Sequence, residues 1–361
     1  MYSVPIYETG HPEYLRGDEI GSSKVKVQKN DILLCKINPR INRVWVVADE
    51  SDYPSIASSE WIVIRTPEYN PSFLAWYFKS PKFKQLMVSE VTGIGGSLTR
   101  AQPKAVAEYP VPILPMEEQN EIAIILDKAA NIILSRKQQL SALDDLIKAR
   151  FVEMFGDPRI NPYGWHEESI SSVLREKASN GFFAKREEYT DIGNVAVLGV
   201  AYVVNRMYSQ VTDLPRTNAT ENDIQKYQVR YGDMLFCRSS LVAEGIGKAS
   251  IVPEDTPDNT LFECHVIRFP LDLGKCIPEF MQVLSTTDYF RKQIIAQAKT
   301  ATMTTISQEG ILKANIILPP FAKQKEFYSF VKQIDKSKSV IQKSLDETQL
   351  LFDNLMQKYF G

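Results

Sequence analysis

Two short stretches carry residue types suited to reading nucleic acid. Lys36-Ile37-Asn38-Pro39-Arg40-Ile41-Asn42-Arg43 mixes cations and amides with the chain-breaking Pro and Asn, directly after the apolar run DILLC. Arg can address guanine bidentately and Asn adenine, whereas Lys more often neutralises phosphate. Lys36, Asn38, Arg40, Asn42 and Arg43 are therefore candidate DNA contacts. Arg238, Ser239 and Ser240, running on to Lys248, follow a second apolar run, DMLFC, in the same way. Gly93 to Lys104 and Lys299 to Thr305 are rich in small and hydroxyl residues, which let backbone approach phosphate; Arg100, Lys104 and Lys299 are the phosphate candidates there. Loops also drift without function, so the groups weigh more than any one residue.

Signatures of catalysis are missing. Gly93-Ile94-Gly95-Gly96 is not a dinucleotide fingerprint, and Gly247-Lys248-Ala249 lacks the hydroxyl residue and distant first Gly of a phosphate loop, which leaves a turn. No HExxH, GxSxG or Asn-Pro-Pro-aromatic run occurs. Cys35, Cys237, Cys264 and Cys276 are scattered without a CxxC pair and only 3 His are present, so no zinc site is expected; Cys35 and Cys237, inside apolar runs, read as buried reduced thiols. No cofactor or metal is expected.

The candidate loops sit on a doubled frame. NDILLCK (from Asn30) recurs as GDMLFCR (from Gly232), PSFLAWYFKSPKFK (from Pro71) as PEFMQVLSTTDYFR (from Pro278), and PMEEQNE (from Pro115) as PFAKQKE (from Pro320), in the same order. The same offset of 205 residues separates Pro115 from Pro320 and Gly156 from Gly361. DILLC, WIVIR and VPIL read as short strands, matched by DMLFC, HVIRF and NIIL. PSFLAWYFKSPKFKQLMVSE reads as one helix opened by Pro. Each module is then mixed α/β, a twisted sheet with helices to one side.

Steps of four and three mark an apolar seam through Ile122, Leu126, Ile133, Leu140, Leu143 and Ile147, and in the second copy through Phe327, Val331, Ile334, Ile341, Leu345, Phe352 and Leu355. Neither Pro nor Gly interrupts Glu117 to Phe155, enough for one helix about 58 Å long at 1.5 Å per residue. A helix with one apolar seam needs a partner, and the other copy shares its length and register. Arg136, Arg150 and Lys338 on the seam read as register-setting or snorkelling residues.

The expected fold class is α+β: two tandem mixed α/β modules, each followed by a long helix, the helices pairing as an antiparallel coiled coil. The expected boundaries are 1–114, 115–156, 157–319 and 320–361. Asp233 lies 77 residues after Gly156 while Asp31 lies 31 from the start, so the first module is about 46 residues shorter at its beginning, with its first strands absent or replaced. A length of 361 residues agrees with two domains. A net charge of −2 argues against bulk-charge nucleic-acid binding but allows basic patches. Neither a signal peptide nor a long apolar span is present, which places the chain in the reducing cytoplasm, away from membranes.

Taken together, the doubled strand motif, the VPILPMEEQ and IILPPFAKQ exits with their Pro-x-x-x-Gln step, and the long helices ending in Phe-Gly resemble the specificity (S) subunit of type I restriction-modification systems, over nearly the whole chain. The resemblance implies two target recognition domains, each reading one half of a split double-stranded DNA site, spaced by the helices as a molecular ruler. It implies two modification (M) subunits and restriction (R) subunits as partners, and no catalysis by this chain. The competing readings are a coiled-coil scaffold whose modules bind protein, and a single-chain methyltransferase or nuclease.

Overall fold

The computed structural model describes residues 1–48, 53–89 and 99–361, divided into one compact unit of residues 1–140 with 340–361 and a second of residues 141–339.

Unit 1 contains β1 (Lys24–Lys26), β2 (Ile32–Cys35), β3 (Val44–Val46), β4 (Ile56–Ser58), β5 (Trp61–Ile64), α1 (Pro71–Lys79), α2 (Pro81–Ser89), α3 (Pro103–Val106) and the first part of α4 (Met116–Phe155). An antiparallel sheet runs β3-β2-β5, with Ile32 opposite both Val46 and Ile64; β1 and β4 form a separate ribbon. β2 is buried on both faces, because alternate side chains enter different cores. Ile32 and Leu34 join Phe73, Phe83, Ile122, Leu126 and Phe360, while Leu33 and Cys35 join Tyr2, Trp45 and Trp61.

Unit 2 contains β6 (His166–Ser169), β7 (Ser179–Asn180), β8 (Val195–Leu198), α5 (Val200–Val203), β9 (Arg216–Thr217), α6 (Glu221–Tyr227), β10 (Asp233–Cys237), β11 (Ser239–Ser240), β12 (Ala249–Ile251), β13 (Thr260–Phe262) and β14 (Val266–Pro270). After these come α7 (Pro278–Thr286), α8 (Asp288–Gln297), β15 (Lys299–Thr300), β16 (Thr304–Thr305), α9 (Gln308–Leu312), β17 (Asn315–Leu318) and α10 (Phe321–Phe360). The sheet β12-β10-β14-β7 repeats the β3-β2-β5 order and adds an edge strand. A further sheet, β13-β8-β9, has no counterpart among the described residues of unit 1.

The doubling extends to individual hydrogen bonds. Asn30 (φ 71°) and Gly232 (φ 82°) both take the left-handed conformation ahead of a buried Asp. Asp31 accepts the Gln28 N–H and Asp233 the Arg230 N–H, each at 2.9 Å on Oδ2. Each carboxylate also meets arginine, Arg65 at 2.7 Å for Asp31, and Arg175 and Arg268 for Asp233. This turn delivers the buried central strand of each sheet, so the Asp in the repeated motif is a structural residue.

Two sequence expectations need correction. VPIL (111–114) forms no strand: its counterpart β17 is a strand because β6 pairs with it from Asn315–Ser169 to Leu318–His166, and no described segment pairs with 111–114 in that way. An isolated extended segment is left without ladder partners. Nor is the stretch after Pro71 one helix. It breaks at Ser80 (φ −65°, ψ 151°), since the residue before a proline is pushed out of the helical region, and the Ser80 hydroxyl then accepts the Phe83 N–H at 3.2 Å. Thr287 makes the matching break between α7 and α8, capping Phe290 without any proline.

Each long helix is 40 residues. α4 starts in the unit 1 core, with Ile122, Ala123 and Leu126, and ends in the unit 2 core, with Ile147, Phe151 and Phe155. α10 does the reverse, starting with Phe327 and Val331 in unit 2 and ending with Met356 and Phe360 in unit 1. Within unit 2 the helix segments are antiparallel, since Lys338 bonds Asp144 at 2.6 Å while Arg150 meets Glu326 at 3.4 Å and Phe151 meets Phe327. The α4 terminus needs its Gly: Gly156 has φ 76°, and a Cβ there would lie 2.4 Å from Pro162 Cγ.

Every seam residue is buried or half-buried: Ile122, Leu126, Ile133, Ile147, Phe327, Val331 and Leu345 fully, Leu140, Leu143, Ile334, Ile341, Phe352 and Leu355 in part. Among the described residues no helix is long and apolar enough to cross a membrane.

Candidate nucleic-acid interface

The repeated Pro-x-x-x-Gln step is a clamp. Gln119 Oε1 accepts the N–H of Asn70, the N-cap of α1, at 2.8 Å, while its Nε2 donates to Leu114 O at 2.9 Å. Gln324 repeats both bonds, accepting from Ile277, the N-cap of α7, at 2.9 Å and donating to Pro319 O at 2.9 Å. Both glutamines are buried. Aromatic packing repeats too. Phe155 lies 4.9 Å from Phe280 and Phe360 lies 5.4 Å from Phe73, the third residue of the Pro-initiated helix in each case.

On this frame the candidate loops occupy one place. In unit 1 the loop spans the rung formed by the Cys35 N–H and Arg43 O (3.0 Å), and in unit 2 the rung formed by the Cys237 N–H and Lys248 O (2.8 Å). Arg43 and Lys248 are thus equivalent in position. Cys35 and Cys237 are buried free thiols donating to Ile37 O and Ser239 O, with burial pushing both upward from the usual thiol range, so neither is a reactive group.

A second strand-like segment meets each loop. In unit 1 Ala101 N donates to Lys36 O at 2.8 Å, Asn38 N donates to Thr99 O at 2.8 Å, and Ile37 bridges Arg100. In unit 2 Ile306 N donates to Arg238 O at 3.1 Å, and β11 pairs with β16, placing Ser239 opposite Thr305 and Ser240 opposite Thr304. The structure therefore brings Lys36, Asn38 and Arg100 together in one unit, and Arg238, Ser239, Ser240 and Lys299 in the other, where Lys299 on β15 pairs with Thr305 on β16. Gly93, Gly95 and Gly96 lie outside the described residues.

Side-chain availability varies within these sets. Arg40, Lys104 and Lys299 are exposed. Arg100 is exposed but bonds Glu60 at 3.0 Å. Lys36, Asn38, Asn42, Arg43, Arg238, Ser239, Ser240 and Lys248 are half-buried. Asn38 (φ 47°) and Asn42 (φ 54°) flank the tight turn Pro39–Ile41. They serve at least partly as conformation-setting residues, since Asn tolerates the left-handed region. Arg43 lies 4.0 Å from Glu8, Arg238 Nη1 donates to Cys264 O at 3.2 Å, and Lys248 Nζ donates to Asn205 Oδ1 at 2.6 Å.

One residue was not singled out by sequence. His265, exposed just before β14, lies with Nδ1 3.2 Å from Ser239 Oγ. Its place beside the loop comes from β10–β14 pairing, which sets Cys237 against Val266. No group of three or more His, Cys, Asp or Glu able to hold a metal occurs among the described residues.

Comparison with known proteins follows the same lines. Residues 2–144 match the family described as type I restriction modification DNA specificity domain. The EcoKI specificity subunit of Escherichia coli (strain K12) is 23% identical over 302 residues, covering 79% of this chain and 63% of the relative. The StySPI specificity subunit of Salmonella potsdam is 23% identical over 307 residues, 80% of this chain and 63% of that one. This chain therefore spans less than two thirds of the length of those two relatives. The MjaVIII specificity subunit of Methanocaldococcus jannaschii is 22% identical over 361 residues, 93% of this chain and 81% of the relative. In fold the chain is similar to the crystal structure of the type I restriction-modification S subunit from M. genitalium, with TM-score 0.57 at 13% identity, over 94% of this chain and 84% of that one. With its doubled frame, the chain is similar to type I restriction-modification specificity subunits over most of its length.

Proposed function

We propose that this chain is the DNA-reading subunit of a type I restriction-modification complex, with each unit reading one half of a split double-stranded target. In this reading it docks modification and restriction subunits, carries no catalytic group, and uses its long helices to space the two readers. The observation that carries the proposal is the pair of loops hung on the same hydrogen-bonded rung, Cys35–Arg43 and Cys237–Lys248, with different residues between. A shared scaffold holding different polar loops is what reading two different half-sites requires.

The roles divide by side-chain chemistry and place in the loop. Arg40 and Arg238 address base edges, Asn38 and Asn42 support the first loop and offer amides, and Lys36, Arg43, Lys104, Lys248 and Lys299 neutralise phosphate. Arg100, with Ser239 and Ser240, orients the loop against its neighbouring segment. The deciding experiment is methylome sequencing of cells expressing this chain with its modification subunit. A motif of two half-sites around a fixed unread gap is expected. A continuous motif, or no methylation above background, overturns the reading. Binding that does not weaken with salt would favour a protein-binding scaffold instead, because phosphate contacts release counterions.

A further inference from the structure

Both loops place aliphatic side chains in solvent beside their cations. In unit 1 this is Ile41, 46% exposed at the end of the turn Pro39–Ile41. In unit 2 it is Leu241, 84% exposed, with Val242 at 59% and, across the β11–β16 pairing, Met303 at 38%. The two loops have different lengths and sequences, yet each projects an aliphatic group from between the same two strands.

These positions are held, not loose. Ile41 N donates to Asn38 O and Asn42 N to Pro39 O, both at 2.9 Å. In unit 2 the Val242 N–H donates to Ser240 Oγ at 3.3 Å and Gly245 N to Val242 O at 3.1 Å. A Cβ at Gly245 would lie 2.1 Å from Ser240 Oγ, so a side chain there would turn the Ser240 hydroxyl away from the Val242 N–H that it accepts. Single exposed aliphatics are common on surfaces and need no explanation alone. Here they recur in loops hung on the same rung, with Arg40 and Arg43 in one loop and Arg238 and Lys248 bounding the other. Those cations suit a polyanion, and the apolar group that a base pair offers in the major groove is the thymine C5-methyl.

We propose that Ile41 and Leu241 each read a thymine, one in each half-site, by packing against its C5-methyl group. This rests on the reading of the chain as a two-part DNA reader. Val242 and Met303 form the rest of the apolar surface around Leu241. Uracil keeps the pairing edge of thymine and lacks only the methyl, so it isolates the contact.

The test uses the chain assembled with its modification subunits and a duplex carrying its own split site. Each thymine is replaced singly by uracil and the dissociation constant is measured. One thymine in each half-site should show about four-fold weaker binding, the worth of one buried methyl at about 0.8 kcal/mol. Leu241→Ala should abolish that sensitivity in one half-site only, and Ile41→Ala in the other only. Both residues are exposed, so unchanged thermal melting of the variants serves as the folding control. Indifference to uracil at every thymine, a half-site without an A·T pair, or sensitivity that survives the alanine variants overturns the inference and leaves the split-site reading standing. A wild-type complex without sequence preference overturns the split-site reading itself, and this inference with it.

Discussion

Unit 1 and unit 2 share a frame and differ in what surrounds it. Both present a buried central strand after an Asx turn, a Pro-initiated helix clamped by a glutamine, and a phenylalanine closing the core. Unit 2 adds β13-β8-β9 and the β6–β17 pair, which the described part of unit 1 lacks. The repeated features do mechanical work, holding a loop and a long helix in fixed relation. The loops between the shared rungs differ as well, and there the proposed recognition would be decided.

The strongest test of that equivalence is to remove the closing phenylalanines. Phe155→Ala should cost unit 2 about 3–5 kcal/mol and Phe360→Ala should cost unit 1 a similar amount, because each empties an aromatic core. Hydrogen exchange resolved by peptide should show loss of protection in the unit where the ring packs. Loss spread evenly over both units would break the comparison. Next come the clamps. Gln119→Leu and Gln324→Leu each strand a buried N–H and a carbonyl, at about 3 kcal/mol. Chemical denaturation should give matching values, and a difference above about 1.5 kcal/mol would mean that the two clamps are not equivalent.

Arg40→Ala and Arg238→Ala sharpen the recognition half of the comparison. Each should cost about 1–3 kcal/mol of discrimination at its own half-site, measured by site selection from a randomised library. Arg238→Ala should also loosen its loop, since it gives up the bond to Cys264 O, whereas Arg40→Ala should leave folding unchanged. Equal loss on all DNA sequences would mark either residue as a phosphate contact.

The smallest effect is in pH. Burial alone would raise the Asp31 carboxyl, but Arg65 and the Gln28 N–H together bring it below the usual range. Its stabilisation of unit 1 is therefore full above the unfolded value near 3.9 and lost as pH falls through the lower folded value. Glu279, on α7 in unit 2, is pushed upward by burial, only partly countered by the Tyr208 hydroxyl donating to it at 2.9 Å. Its contribution is full below the unfolded value near 4.3 and lost as pH rises through the raised folded value. Mild acidification from neutrality should raise protection factors, taken relative to the intrinsic exchange rate at each pH, in unit 2 and leave those of unit 1 unchanged; Glu279→Gln should reduce the unit 2 response, the rest coming from Asp233 and Asp335, which burial also pushes upward. A parallel response in both units would contradict the assigned signs.

Much of this frame was legible because it repeats. The offset shared by Pro115 and Gly156 with Pro320 and Gly361 exposes the two helices, and the seam from Ile122 and from Phe327 identifies the faces they bury. What the glutamines do was not legible, since a partner at Asn70 or Ile277 lies some 47 to 49 residues away in sequence. VPIL read as a strand because periodicity reports burial, and Val111 and Leu114 do pack against the core; strandedness needs a partner that composition cannot show. The break at Ser80 was available from the Ser-Pro pair and was outweighed by the apolar spacing around it. His265 stayed hidden because nothing near it in the chain points to Ser239.

The crossing of the long helices between cores sets an order of assembly during synthesis. Every residue of the unit 2 core is contiguous within 141–339, so that core can close as soon as residue 339 has left the ribosome. Phe73 and Tyr77 pack against Phe360, so the unit 1 core, begun first, stays open until the last turn of α10 is made. A nascent chain thus carries this earlier hydrophobic surface uncovered until Phe360 is added, the condition under which long-range contacts make folding slow and aggregation competitive. Vectorial synthesis favours the second module, and truncation anywhere in the last two turns of α10 should leave a completed unit 2 joined to an unclosed unit 1.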